Sequence, residues 1–196
     1  MWVTITIIGI ILLVILFIIG IYNRLITLRN QVKNAWAQIE VQLQRRYDLI
    51  PNLVETVKGY MTYEKGTLEA VVNARNTALA AKNAIDQKGG PTESSIKGLI
   101  GAEISLKRSL GDIFALAENY PQLKASETMQ NLQEELSSTE NKVAFARQAY
   151  NDQVMAYNTA QQEIPANFLA STFGHSPVEL YEVEDVNAKK AVKISF

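Results

Sequence analysis

The chain contains no cysteine, and that one absence removes disulfides, thiolate metal sites, thiol catalysis and any lipid carried on an N-terminal cysteine. Stability must come from packing, and membrane attachment from apolar sequence. Histidine occurs once, as His175, so the Glu-x-x-His pairs with which helical bundles hold two metals are missing. The lone imidazole, beside serine and proline, reads as an ordinary loop histidine. There is no G-x-S-x-G nucleophile elbow, and the Gly89-Gly90 pair lacks the lysine and spacing of a phosphate loop. Acidic and basic residues nearly cancel, 20 against 19, which argues against nucleic acid as a partner. Neither a cofactor nor catalysis by this chain is expected.

Charge is also absent from Trp2 to Tyr22, where WVTITIIGIILLVILFIIGIY is long enough as a helix to cross the ~30 Å hydrocarbon core. Residues 1–22 are expected to be a transmembrane anchor, with residues 2–22 in the bilayer. A cleaved secretory signal would need a basic start, a shorter apolar core and small residues before the cut. Trp2 and Tyr22 sit where amphipathic rings favour the two membrane interfaces. Arg24, Arg29 and Lys33 follow the span, which places the larger domain in the cytoplasm by the positive-inside rule.

Beyond the anchor, apolar residues recur every seven positions. One series begins Leu25, Val32, Ile39, Arg46, Leu53, and a second runs Trp36, Leu43, Ile50, Val57, later reaching Val71, Ala78 and Ile85. An unbroken helix of that extent would measure ~90 Å, so it packs in a long bundle or breaks. Pro51, Gly59 and Gly66 mark candidate breaks. The heptad phase survives all three, which favours a kink over a reversal and leaves a turn near residues 59–66 as the alternative.

The segment DQKGGPTES (residues 86–94) reads as a loop, with Thr92 or Ser94 capping the next helix. That helix repeats Leu99, Leu106, Ile113 and Tyr120 and stops before Pro121; a last one carries Met129, Leu136, Val143, Tyr150 and Tyr157 and ends near Pro165. Short connections imply antiparallel neighbours packed seam to seam. The expected fold class is all-α, a transmembrane helix followed by an antiparallel four-helix bundle with long helices. The bundle is assigned to residues 23–170 and a C-terminal tail to 171–196; the tail's start is expected to fold back on the bundle, and the remainder, with Lys189 and Lys190, to be poorly ordered.

Two long blocks, QRRYDLIPNLVETVKGYMTYEKGTLEAVVNARN (residues 44–76) and LKASETMQNLQEELSSTENKVAFARQAYNDQVMAYNTA (residues 123–160), resemble the LemA family of bacterial membrane proteins. The resemblance extends from Tyr22 to Phe173-Gly174. It implies a single N-terminal span, an antiparallel four-helix bundle and residence in the bacterial cytoplasmic membrane. The family has no agreed activity and no established catalytic residues. Some relatives carry a lipoprotein cysteine that would put their domains outside the cytoplasm; this chain lacks it.

One region breaks the local rules. Arg46 occupies a seam position otherwise held by Ile39 and Leu53, and a buried cation needs a carboxylate or free carbonyls. Glu103, beside the seam of the next helix, is the expected partner, with the Tyr47 carbonyl released by Pro51 as the alternative. Arg45, Asp48, Asn52 and Glu55 form a polar stripe on a different face, which is either a solvated surface or a recognition surface for a partner helix. Two functions compete on this reading. One is a membrane-anchored scaffold that forms a homo-oligomer or docks an envelope partner, with membrane shaping as its sharper form. The other is an accessory subunit of a membrane protease or transport complex.

Overall fold

A computed structural model describes residues 1–61, 63–87 and 90–182. Its helices are α1 (Trp2–Lys58), α2 (Lys65–Gln87), α3 (Glu93–Ala117), α4 (Pro121–Lys124), α5 (Glu127–Gln162) and α6 (Ala166–Ala170). The expected all-α class is what the chain adopts: α1, α2, α3 and α5 form the bundle, and the described residues contain no strand.

The 57 residues of α1 run without interruption, roughly 85 Å, from the apolar segment into the bundle. It is the one described helix long and apolar enough to cross a membrane, and none of its most apolar window is buried by protein. Burial begins at Leu25 and then returns at Val32, Trp36, Ile39, Leu43, Arg46, Ile50, Leu53 and Val57. The heptad seam is therefore the buried line of the helix. Helix α5 runs back along it: Leu25 packs with Ala160, Trp36 stacks edge-on against Tyr150 at 5.4 Å, and Arg24 meets Glu163 at 3.0 Å.

The break after Lys58 is a reversal, and the expectation of a kink is corrected. Helix α2 returns along α1, bringing Arg75 beside Tyr47 and Asp86 beside Glu40. Phase continuity misled because Val57 and Val71 are two heptads apart yet face one core from two antiparallel helices, both fully buried. An intervening turn of seven residues' separation preserves the sequence phase while reversing the chain. Pro51, by contrast, stays inside α1. At the next connection Thr92 caps α3 through a reciprocal box with Ser95. Lys88 and Gly89, part of the expected 86–94 loop, lie outside the described residues.

The second departure is the tail. Residues 175–182 are extended and bound to the bundle, where loose chain was expected. Asn158 donates its amide to the Val178 carbonyl at 2.8 Å and accepts from the Val178 N–H at 2.9 Å. Asn151 grips Tyr181 in the same two-pronged way, at 3.3 and 2.8 Å. The match is geometric: seven helical residues rise ~10.5 Å, and three extended residues span ~10 Å. The Tyr150 hydroxyl donates to the Glu179 carbonyl at 2.9 Å, and Tyr157 shares a 2.8 Å hydrogen bond with His175. Tyr181 then fills the space between α1 and α5, beside the Trp36 ring and under the Arg147 guanidinium. His175 is thus a buried anchor of the tail, and burial together with the nearby Arg29 cation favours its neutral form. The expectation for Lys189 and Lys190 lies outside the described residues.

Replacing Asn151 and Asn158 together by alanine removes both grips and should cost about 2–4 kcal/mol, at about 1 kcal/mol per hydrogen bond. Hydrogen exchange provides the check: protection at the Val178 and Tyr181 amides should disappear while the amides of α1 and α5 stay protected. Unchanged protection at 178 and 181 would show that the asparagines do not hold the tail.

Candidate interaction site

The residues singled out around Pro51 divide between an interior cluster and an outer stripe, because residues three or four apart share a face of α1 and the two sets are offset around the helix. Arg46 and Tyr47 face inward, and both are buried. Each reaches Glu103 on α3, Arg46 through an ion pair with Oε2 and Tyr47 by donating its hydroxyl to Oε1. Both carboxylate oxygens are therefore engaged. Burial pulls the Arg46 guanidinium below its usual value, opposed by Tyr47 and Glu140, yet an arginine at neutral pH stays charged. Burial also pushes the Tyr47 hydroxyl up to about 12, so it remains a donor.

The alternative partner for Arg46, the Tyr47 carbonyl, is taken by another cation. Pro51 has no N–H to return to it, and Arg75 of α2 donates from Nε at 3.1 Å. The proline thus exposes an acceptor inside α1 that a second helix satisfies, which fastens α1 to α2. Around this layer, Lys107 of α3 meets Glu140 of α5 at 2.6 Å, so polar contacts join all four long helices at one level.

Arg45, Asp48, Pro51, Asn52 and Glu55 are exposed on the other side. Asp48 accepts from the Gln44 amide at 2.8 Å, and Glu55 lies 3.6 Å from Lys58. Pairs this exposed contribute little to stability. The line extends toward the membrane through exposed Val41 and Ala37, with steps of three or four residues that keep it on one face. Between α1 and α2 it borders a shallow depression lined by Val41, Gln44, Arg45, Leu49 and Lys82.

Nothing in the sequence announces a second polar pair, the half-buried Glu40 and the exposed Asp86, which meet where α2 ends beside α1. Burial first, and the neighbouring Asp86 carboxyl second, raise Glu40 to about 7, against the opposing pull of the Trp36 N–H and Lys82. Glu40 lies one turn from Trp36 on the seam edge, a position that marks partial burial, but its partner could be found only once the reversal was known. Asn151 and Asn158 were missed as well; their sevenfold spacing along the edge of the α5 seam was the available signal.

The interior cluster gives a direct test of its own. Replacing Arg46 by methionine leaves the Glu103 carboxylate buried without its cation and should cost about 3–5 kcal/mol. Adding Glu103→Gln, which keeps an acceptor for the Tyr47 hydroxyl and discards the charge, should recover most of that loss. Thermal unfolding followed by circular dichroism in detergent measures both, and equal loss in the single and double variants would contradict the pairing.

Comparison with known proteins agrees with this architecture. The family model described as "LemA family" matches residues 35–196. The magnetosome protein MamQ of Magnetospirillum gryphiswaldense is 26% identical over 179 residues, covering 82% of this chain and 64% of that protein. Magnetosome protein MamQ 2 of Paramagnetospirillum magneticum is 25% identical over 180 residues, with the same 82% and 64% coverage. Protein LemA of Metamycoplasma hominis is 25% identical over 168 residues, covering 86% of this chain and 72% of that protein. The chain thus spans just under two thirds of the length of the MamQ relatives it matches. A long apolar helix emerging from a helical bundle, in a sequence matched by the family model over most of its length, makes this a membrane-associated helical protein, and the chain belongs to the LemA family.

Proposed function

We propose that this chain is a membrane-anchored scaffold that self-associates, or docks an envelope partner, through the outer face of α1. The carrying observation is the division of labour along that helix. Its inner polar residues, Arg46 and Tyr47, are consumed by Glu103, and the carbonyl freed by Pro51 is consumed by Arg75. The outer line from Ala37 and Val41 to Arg45, Asp48, Asn52 and Glu55 is left exposed by the packed helices of the bundle. It carries both signs of charge with small and apolar residues at one end, a composition that suits another helix of the same kind. A parallel neighbour anchored in the same bilayer would meet it at the same height. The match to magnetosome proteins and to a protein named only LemA supports a membrane role without naming a reaction.

On this reading the domain lies on the cytoplasmic side of the bacterial inner membrane, which Arg24, Arg29 and Lys33 just after the span support. A reporter active only in the cytoplasm, fused after Phe196, should be active; activity from an exported reporter at the same position would reverse the orientation.

Replacing Asp48 and Asn52 together by alanine should leave helical content and melting unchanged, since both side chains are exposed, while lowering the assembly state. Sedimentation of protein extracted in mild detergent measures this. An unaltered size distribution in a folded variant would count against the α1 face, and stoichiometric recovery of a foreign protease or transport component would favour the accessory reading.

A further inference from the structure

The membrane end of the bundle carries a feature that neither the anchor nor the scaffold explains. Helix α6 buries Ala166 and Ala170 against α1 and α5, where Ala170 clusters with Leu25 and Ala160 beside Ile21 and Leu28. Ile21 is the last residue before Tyr22 in the uncharged run, so this small helix docks where α1 leaves the hydrocarbon. Arg24 and Glu163 meet at 3.0 Å just ahead of α6, and the Phe173 ring stands edge-on to Tyr22 at 5.1 Å just after it. With its small residues spent on docking, α6 and its approach turn large apolar side chains outward: Ile164 is 81% exposed and Phe168 is 70% exposed.

We infer that Ile164 and Phe168 enter the lipid interface, making α6 a second membrane contact beside the span. The occupant is specified by continuity. The surface flanking this patch is that of the span itself, no part of whose most apolar window is covered by protein. Tyr22, at the interface depth that amphipathic rings favour, touches Phe173 directly. Two apolar side chains carried between the Glu163–Arg24 and Phe173–Tyr22 contacts lie against the acyl and headgroup boundary as a short interfacial helix does. Because α6 is clamped to α1 and α5, such a contact would set the tilt and rotation of the bundle relative to the bilayer, which a single helix passing through lipid leaves free. The inference depends on the span lying in the membrane and not on the scaffold reading.

The absence of cysteine makes the test clean, since each introduced thiol is unique. Full-length Ile164→Cys and Phe168→Cys variants would be nitroxide-labelled in phosphatidylcholine–phosphatidylglycerol vesicles, with Ile11→Cys as a reference in the span and Phe145→Cys, at a 73% exposed site in the middle of α5, as a reference in water. Collision rates with oxygen and with a neutral nickel chelate report depth. Oxygen-to-nickel ratios at 164 and 168 several-fold above that at 145, approaching that at 11, are expected. Ratios equal to that at 145 would overturn the contact, and so would an immobilised label shielded from both reagents, which would mean coverage by another protein copy. A water-like ratio at 11 would overturn the span and the contact together, whereas a lipid-like ratio at 11 with water-like ratios at 164 and 168 overturns the contact alone.

Discussion

Everything else in the molecule is arranged around one continuous helix. Over its apolar segment helix α1 satisfies its backbone hydrogen bonds internally, which is the condition for crossing hydrocarbon, and it does not stop at the interface. The same rod that is apolar on every side before Tyr22 becomes apolar on one line after Arg24, where water is available to the other faces. Helix α5 covers that line over its whole length outside the span. The α2–α3 hairpin is shorter, 23 and 25 residues against the 36 of α5, so it cannot cover the full face. The extended tail and α6 occupy the membrane-proximal remainder, with Val178 and Tyr181 packed into the main core and Ala170 into the smaller cluster beside Leu25.

That division explains what could be read from the sequence. Heptad positions on α1, α3 and α5 are a local signal, because burial repeats with the helix itself, and residues such as Leu43, Leu106 and Val143 lie inside as the spacing requires. Arg46 was legible for the same reason: a cation in an apolar series announces that something must pair with it, and the few carboxylates near the α3 seam narrow the choice to Glu103. The reversal after Lys58 was not legible, since a turn that spans a whole number of heptads leaves no trace in the phase. The tail was illegible for a different reason. An extended segment bound by side-chain amides to a helix needs no alternating pattern of its own, because Asn151 and Asn158 serve the backbone N–H and C=O of both Tyr181 and Val178.

The polar interior has a consistent logic. Pro51 opens one acceptor, and Arg75 closes it from the neighbouring helix. Glu103 receives a cation and a hydroxyl, one on each oxygen. The backbone of the tail is met by two asparagines and a tyrosine. These contacts join different elements, in contrast to the exposed pairs such as Glu93 with Lys97, which sit one turn apart on a single helix. Buried polar groups that bond across elements constrain how those elements sit relative to one another, whereas those exposed pairs fix nothing beyond their own turn.

Register is where that constraint acts. A seam with a strict seven-residue period is nearly indifferent to a slip of one heptad, roughly 10.5 Å, because apolar residues would again face apolar residues. The buried pair removes that indifference. The positions one heptad either side of Glu103 are Ile96 and Leu110, both buried, so a slipped α3 would set the Arg46 guanidinium against hydrocarbon with no carboxylate to receive it. Such an unpaired charge costs several kcal/mol, more than the slip could regain from otherwise equivalent packing. The tail obeys the same rule: one heptad before Asn151 α5 offers Ala144, and one heptad beyond Asn158 lies Pro165, past the end of α5, neither of which has a side-chain amide, so the two grips define a single seating. A fold built on a repeating apolar line thus obtains its unique alignment from the few residues that do not repeat.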